Sequence, residues 1–225
     1  MELERYERNR PMISPEEQDL LAQKRVLVVG CGGLGGYLIE QMCRTGIGHI
    51  TAVDGDTFSP SNLNRQLLAT EDTLGRPKAV CAAERMAKVN PLCEVRALCQ
   101  MIEPENADEI VADHDLVVDA LDNRTARLLL LAAARRAGIP MVCGAVAGWN
   151  GRVVAVRPTD NLDMLWAGAE STAAFGNLCP PVLSVAALEF CESLKILLDR
   201  PNVRYSQLIE MDLRDLRWDI IPMQG

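Results

Sequence analysis

The sequence lacks the patterns that mark several classes of protein. Its eight cysteines contain no C-x-x-C pair, and most of them stand in apolar segments, where buried thiols are common. This pattern indicates neither a zinc site nor a disulfide framework. The 225 residues also contain no internal repeat and no low-complexity linker. We therefore expect one domain over residues 1–225 rather than several linked modules.

A secretory signal and a membrane-spanning run are also missing. The first ten residues are densely charged, and the long uncharged run at 171–188 is interrupted by Pro180 and Pro181. We expect a cytoplasmic protein with no membrane partner. The net charge of -8 makes a nucleic-acid surface unattractive, although a local basic pocket can still bind a nucleotide inside an acidic protein.

The order of apolar and polar segments predicts an α/β fold of Rossmann-like type, with a mostly parallel sheet, antiparallel strands at its end and helices on both faces. A capping box at Ser14–Glu17 begins the first helix and leaves residues 1–13 as an N-terminal arm. Strands are expected at 25–29, 49–53, 95–98, 115–119, 139–143, 152–156, 205–211 and 214–220. Helices are expected at 15–23, 34–45, 78–90, 105–112, 123–137 and 181–199, with an irregular crossover at 158–179.

A glycine-rich turn follows the first strand. Gly30, Gly32 and Gly35 match G-x-G-x-x-G, which permits a tight turn and close approach to a ligand phosphate, although such a turn can also be purely architectural. Asp54 stands 19 residues beyond Gly35 at the end of the second strand, where an acid accepts hydrogen bonds from a ribose hydroxyl. The combination predicts a nucleotide site but leaves NAD and ATP both open.

Two cations flank the polar loop after the second strand. Arg65 and Lys78 can each hold phosphate charge, and a dinucleotide needs fewer such cations than a triphosphate does. Either residue alone could be an ordinary surface charge. Their occurrence together with Asn62 favours ATP.

A second polar segment ends the fourth strand at the carboxyl edge of the predicted sheet. Asp122 is a candidate Mg²⁺ ligand there, because magnesium is typically held by one or two carboxylates together with phosphate oxygens and water. Asn123 is expected to cap the following helix.

Taken together, these residues resemble the ThiF/MoeB/HesA adenylyltransferases, bacterial relatives of the ubiquitin-activating enzymes. The motifs are V-x-G-x-G-G-L-G from Val28, Asp54 after the second strand, Ser61-Asn-Leu-Asn-Arg-Gln66, Gly75-Arg-Pro-Lys78 and Leu121-Asp-Asn123. The resemblance extends from Arg5-Tyr-Glu-Arg8 to the apolar helix at 181–199.

The resemblance implies a reaction, a cofactor set and a partner. The family activates the C-terminal glycine carboxylate of a small ubiquitin-like sulfur carrier ending in Gly-Gly, forming an acyl adenylate and pyrophosphate for thiamine, molybdopterin or related sulfur-transfer biosynthesis. It implies ATP and Mg²⁺, with Asp122 as metal ligand and Asn62, Arg65 and Lys78 at the phosphates. The implied nucleotide set is Gly30, Gly32, Gly33, Gly35, Asp54, Asp56, Ser61, Asn62, Arg65, Gln66, Lys78, Leu121, Asp122 and Asn123.

The resemblance also implies a homodimer. In the family an arginine of the Arg-Tyr-x-Arg arm enters the ATP site of the neighbouring protomer, and Arg8 matches it, with Arg10 as the alternative. Asn9 stands where relatives often have glutamine, so details of arm geometry do not transfer. The carrier carboxylate is already a nucleophile, so no catalytic base is required, and His49 and His114 are expected to be structural.

The chain departs from the family at its cysteines. Many members carry two C-x-x-C pairs that bind zinc, whereas the corresponding regions here read Asp163-Met-Leu-Trp166 and 218–225, so zinc is predicted to be absent. Some members use a crossover cysteine for a covalent step with the carrier. Cys179 is the nearest candidate, and a buried or loop thiol is the alternative.

Three other functions remain open from the sequence. The first is adenylation of a different carboxylate, such as a modified tRNA nucleoside or a peptide terminus. The second is a non-catalytic nucleotide-binding dimer that acts as a scaffold. The third is an NAD-dependent oxidoreductase, which would leave the phosphate cations and Asp122 unexplained.

Overall fold

The computed structural model describes residues 4–160 and 175–223. They form one eight-stranded sheet in the order β3-β2-β1-β4-β5-β6-β7-β8, in which β1 to β5 are parallel and β6 to β8 continue it antiparallel. The strands are β1 Arg25–Val29, β2 His49–Val53, β3 Glu94–Leu98, β4 Leu116–Asp119, β5 Met141–Ala147, β6 Asn150–Val156, β7 Gln207–Asp212 and β8 Arg217–Pro222. This confirms the predicted mixed sheet.

Helices cover both faces of the sheet, as predicted. They are α1 Pro15–Leu21, α2 Gly33–Thr45, α3 Lys78–Val89, α4 Ala107–Val111, α5 Arg124–Ala137 and α6 Cys179–Leu197. Alternate residues of the central strands enter different cores: Val28 packs on the side of α2 and α6, and Leu27 packs on the side of α4 and α5. Both side chains are fully buried. No helix among the described residues is long and apolar enough to cross a membrane.

The strand register brings three chain segments together at one edge. Val29, the last residue of β1, pairs with Val53 of β2 on one side and with Asp119 of β4 on the other. The residues that follow these three strands therefore meet at the carboxyl edge of the sheet, where parallel α/β folds bind their ligands.

Most of the predicted elements begin or end one to three residues from the observed bounds, and three of the differences are described here. α4 starts at Ala107 rather than at 105, because the side chain of Asn106 accepts a hydrogen bond from Glu103 N at 2.8 Å and closes a turn there. β5 extends to Ala147, four residues beyond the predicted end, because antiparallel pairing with β6 carries it past its short parallel pairing with β4. α6 begins at Cys179, with prolines in its first turn. Of the predicted crossover at 158–179, residues 161–174 lie outside the described residues.

Candidate functional site

The glycine turn lies at the carboxyl edge and leads directly into α2. Gly30 has a φ of +97°, which only glycine adopts readily, and its N–H donates to Val53 O at 2.8 Å. A Cβ on Gly35 would collide with the carbonyl of Gly30, so the turn closes only because that atom is absent. α2 begins after Gly32 with no side-chain cap, which leaves its first N–H groups available to an anion.

Asp54 joins the turn to the polar loop. Its two carboxylate oxygens accept hydrogen bonds from Cys31 N at 2.7 Å and from Asp56 N at 2.8 Å. Burial raises the pKa of the Asp54 carboxyl, and those two N–H groups, together with the nearby Lys78, oppose that rise. The segment after β3 lies alongside, since Asp54 N donates to Leu98 O at 3.1 Å, and the next residue, Cys99, is exposed.

Lys78 is a buried cation at this edge. Only 8% of its surface is exposed, and its Nζ lies 2.9 Å from the carboxylate of Asp56, which is itself exposed. Lys78 is the first residue of α3, and its own N–H donates to Asp56 O at 3.0 Å. The structure thus brings together Asp54, Asp56 and Lys78, three residues of the predicted nucleotide site.

Gln66 lies across the glycine turn. It is 7% exposed, its Nε2 would be 3.4 Å from a Cβ on Gly32, and its Oε1 is buried with no hydrogen-bond partner among the described residues. A buried polar atom without a partner requires explanation by a ligand or a water molecule. Val182 of α6 stands beside Gly33, where an added Cβ would be 3.2 Å from its Cγ1.

The rest of the polar loop is held by its own hydrogen bonds. Asn62 accepts from Ser59 N at 3.0 Å, and the hydroxyls of Ser59 and Ser61 are 3.0 Å apart. Arg65 donates to Ser61 O at 3.0 Å and to Asn64 Oδ1 at 2.8 Å. The structure therefore places Ser61, Asn62 and Arg65 on the predicted loop, and their side-chain hydrogen bonds within the described part of the chain stay inside that loop.

The segment after β4 lies against the other side of the turn. A Cβ on Gly30 would collide with the carbonyl of Ala120, so only a glycine lets the two segments approach this closely. Leu121 is half-buried and Asp122 is exposed. Asn123 caps α5 as expected, because its side chain accepts a hydrogen bond from Ala126 N at 3.1 Å.

Arg8 lies apart from these residues. The arm forms a 3₁₀ helix at Glu4–Asn9 that docks on the C-terminal end of α2: Tyr6 packs over Gly46, and Asn90 Nδ2 donates to the Tyr6 hydroxyl at 2.8 Å. Arg8 is exposed and makes no hydrogen bond or ion pair with the described residues. α2 has 13 residues, so this end lies roughly 18 Å from the glycine turn.

Sequence reasoning missed two buried charged residues beneath the site. Arg127 of α5 is 5% exposed and ion-pairs at 2.9 Å with Asp119, which is fully buried. Glu189 of α6 is also fully buried, and neither of its carboxyl oxygens has a partner among the described residues. Burial raises the pKa of Glu189 well above its usual value, and the charge of Asp119 adds to that rise, so the fold favours the protonated form of this carboxyl group.

Cys179 is the first residue of α6, and its Sγ lies 3.3 Å from the Tyr37 hydroxyl. Burial and this contact raise the pKa of Tyr37 to about 12. Among residues 4–160 and 175–223, no group of three or more histidine, cysteine, aspartate or glutamate side chains is arranged to hold a metal ion. Of the two regions compared with zinc-binding relatives, 163–166 lies outside the described residues, and 218–222 belongs to β8.

Comparison with known proteins identifies close similarities over most of the chain. It is 34% identical over 230 aligned residues to a protein named SAMP-activating enzyme E1 of Haloferax volcanii, covering 98% of this chain and 85% of that protein. It is 35% identical to the sulfur carrier protein ThiS adenylyltransferase of Bacillus subtilis, covering 82% of this chain but only 57% of that protein.

A solved structure shows the same fold. The E. coli tRNA N6-threonylcarbamoyladenosine dehydratase TcdA, in complex with ATP, superposes with a TM-score of 0.77 at 24% identity, over 88% of this chain and 95% of that one. The family model described as ThiF family matches residues 6–225. On this match, which covers nearly the whole sequence, the chain belongs to the ThiF family.

Proposed function

We propose that this protein is an ATP-dependent adenylyltransferase that activates the C-terminal glycine carboxylate of a small ubiquitin-like carrier protein and releases pyrophosphate. The observation that carries the proposal is the buried Lys78 at the same sheet edge as the uncapped N-terminus of α2. A cation and a row of free N–H groups together suit a polyphosphate better than a neutral ligand. The relative named above is an adenylyltransferase of the sulfur carrier protein ThiS, which supports a carrier protein as substrate.

The residues present fit ATP and Mg²⁺. We assign Asp54 to the ribose hydroxyls. The Oε1 of Gln66 is a buried acceptor without a partner among the described residues, and Gly32 and Gly33 leave room where side chains would otherwise stand. Asp122 offers the carboxylate oxygen that magnesium prefers. Bound there, Mg²⁺ would neutralise charge on the phosphate oxygens.

Each step of the proposed reaction depends on position and charge. The carrier carboxylate is oriented for attack at the α-phosphorus, and Lys78 and Arg65 stabilise the charge that develops on the departing pyrophosphate. Asp56 holds Lys78 in place before nucleotide binds, and the incoming phosphates replace that partner. Neither histidine takes part: His114 is bonded to Thr51 on the sheet, and His49 pairs with Glu94 at the start of β2 and β3.

We propose that a second copy of the chain supplies a further cation to the site. Arg8 stands at the far end of α2 from the glycine turn, too distant to serve the site of its own protomer. Its side chain is exposed, while Tyr6 and Asn90 fix the arm beside it. We therefore propose a homodimer in which the arm of one protomer completes the site of the other.

The test is ATP–pyrophosphate exchange with a panel of carriers ending in Gly-Gly, each paired with a control carrier that lacks the last glycine. We expect exchange only with an intact cognate carrier. Lys78→Met should lower kcat/KM on the order of a hundredfold, about 3 kcal/mol of transition-state stabilisation. Arg76→Met, which changes an exposed cation two residues away that pairs with Glu84, should have little effect.

Other outcomes would replace the proposal. If the protein binds ATP but exchanges pyrophosphate with none of the carriers, a nucleotide-binding scaffold is the better description. If exchange requires tRNA instead, the substrate is a nucleoside carboxylate, an outcome that the net charge of -8 disfavours. Selective NAD binding would identify an oxidoreductase.

A further inference from the structure

The segment that carries Asp122 is held from beneath by one side chain. Arg127 Nη1 donates to the carboxylate of Asp119 at 2.9 Å, and its Nη2 donates both to the carbonyl of Leu121 and, at 2.7 Å, to the carbonyl of Gly144. These acceptors belong to the end of β4, the loop after it, and β5. One guanidinium therefore joins three separate parts of the chain.

The same loop is fixed at each residue around Asp122. Leu121 N donates to the second carboxylate oxygen of Asp119 at 2.9 Å, so Leu121 is bound through both its N–H and its carbonyl. On the other side, Asn123 caps α5 with its side chain, and its carbonyl accepts from Arg127 N at 3.1 Å. Asp122 itself is exposed and lies between two residues whose backbones are held by Asp119 and Arg127.

We propose that Arg127 is the positioning residue of the metal site: by binding Asp119, the Leu121 carbonyl and the Gly144 carbonyl at once, it fixes the direction in which Asp122 presents its carboxylate. This inference rests on the proposed function, because it assigns Asp122 to Mg²⁺. Arg127 is buried beneath the loop, and in this proposal it acts through Asp122 rather than on the ion. Residues that orient a metal ligand from behind typically change metal affinity ten- to a hundredfold when altered.

The planar guanidinium group of Arg127, with its several N–H donors, is essential to this role. A lysine can keep the ion pair with Asp119, but one ammonium group on a flexible stem does not reproduce the planar fork that reaches two further carbonyl oxygens. Arg127→Lys therefore keeps the positive charge beside Asp119 but loses the hydrogen bonds that position the loop. It also avoids leaving Asp119 buried without a counter-ion.

The test measures metal binding directly. Mn²⁺ serves as the probe, and its affinity for the protein bound to a non-hydrolysable ATP analogue is followed by electron paramagnetic resonance. We expect Arg127→Lys to weaken Mn²⁺ binding about tenfold while the affinity for the metal-free analogue stays within about twofold. The matched control is Arg136→Lys. Arg136 is another arginine of α5, and its exposed side chain pairs with Asp108 of α4, so this change should alter neither affinity.

A double-mutant cycle with Asp122→Asn separates positioning from general support of the fold. If Arg127 acts through Asp122, Arg127→Lys should cause no further loss of Mn²⁺ affinity in the Asp122→Asn background. Unchanged Mn²⁺ affinity in Arg127→Lys, or fully additive losses in the double variant, would overturn the inference and leave the proposed function standing. A wild-type protein whose nucleotide complex binds no Mn²⁺ would overturn the inference together with the magnesium assignment.

Discussion

At the scale of single residues, the site rests on charges that are buried in different ways. Lys78 is paired with an exposed partner, so a ligand can replace that partner without leaving a buried charge alone. Asp119 is paired with Arg127 deep beneath the site, where removing either partner would leave an uncompensated charge. The carboxyl group of Glu189 has no hydrogen-bond partner among the described residues, and burial raises its pKa, which favours the uncharged form.

The protonation of Glu189 predicts a pH-dependent stability. The folded chain keeps this proton at pH values where the unfolded chain, with an ordinary glutamate pKa of 4.5, has lost it. The free energy of unfolding therefore falls as pH rises above that value. Glu189→Gln removes this titration. As pH rises, the free energy of unfolding of the variant should therefore increase relative to that of the wild type, by up to about 1.4 kcal/mol per pH unit.

Urea unfolding of both proteins between about pH 5 and pH 8 measures the difference in their free energies of unfolding. Glu189→Ala should flatten the pH dependence in the same way, but it should be less stable than Glu189→Gln at every pH because it opens a cavity. Parallel curves for the wild type and Glu189→Gln would show that Glu189 is ionised in the folded state.

The two buried residues show what the sequence could and could not reveal about the site. Arg127 shares a helical stripe with the buried Leu130, Leu131 and Ala134, so an arginine in an apolar row was a visible anomaly. Glu189 likewise follows Val182 and Val185 on the buried face of α6. Their partners could not be predicted, because contacts between α5, β4 and β5 depend on tertiary packing rather than on spacing along the chain.

At the scale of elements, the sequence predicted most helices and strands because local signals marked their ends. The Ser14–Glu17 capping box forms as expected, and Gly46 and Gly138 end α2 and α5 in the left-handed conformation. The extension of β5 depended on a partner strand and had no local signal. For the same reason Asp54 follows β2 and Asn123 caps α5 at the positions that the sequence predicted.

The contact between α6 and β5 gives a prediction at this scale. A Cβ added at Gly144 would overlap the carboxyl group of Glu189, so glycine lets the helix approach the strand. Gly144→Ala should lower the free energy of unfolding by about 2 kcal/mol through overpacking. In a Glu189→Ala background the same change should cost under about 1 kcal/mol, because the added methyl group enters the vacated space.

Urea denaturation of the two single variants and the double variant completes this cycle. Its interaction energy reports whether the two positions share one space. An equal loss in both backgrounds would mean that the helix moves away from the strand rather than compressing Glu189.

At the scale of the whole molecule, each site of the proposed dimer contains residues from both chains. Arg8→Ala and Lys78→Met should each have very low activity alone, since one lacks the cation supplied to the partner and the other lacks the cation of its own site. Mixed dimers contain one site with both cations. An equal mixture should therefore recover about a quarter of the wild-type activity, because half of the dimers are mixed and each has one complete site.

Activity after subunit exchange measures this recovery, and native mass spectrometry confirms that mixed dimers have formed. A second variant, Arg10→Ala, tests which arginine of the arm acts. If Arg8 is responsible, Arg10→Ala alone should retain activity. Mixed dimers without recovered activity would place both cations in the same protomer or exclude a role for the arm.

The cysteines near the sheet edge have a practical consequence. Cys99 follows β3 beside Asp54 and is exposed, as is Cys191 in the C-terminal half of α6, whereas Cys31 in the glycine turn is buried. A thiol-reactive fluorophore applied to the unmodified protein would label a position next to the proposed ribose contact and one reference position on α6. Nucleotide occupancy could then be followed by protection of Cys99 relative to Cys191, with no substitution in the chain.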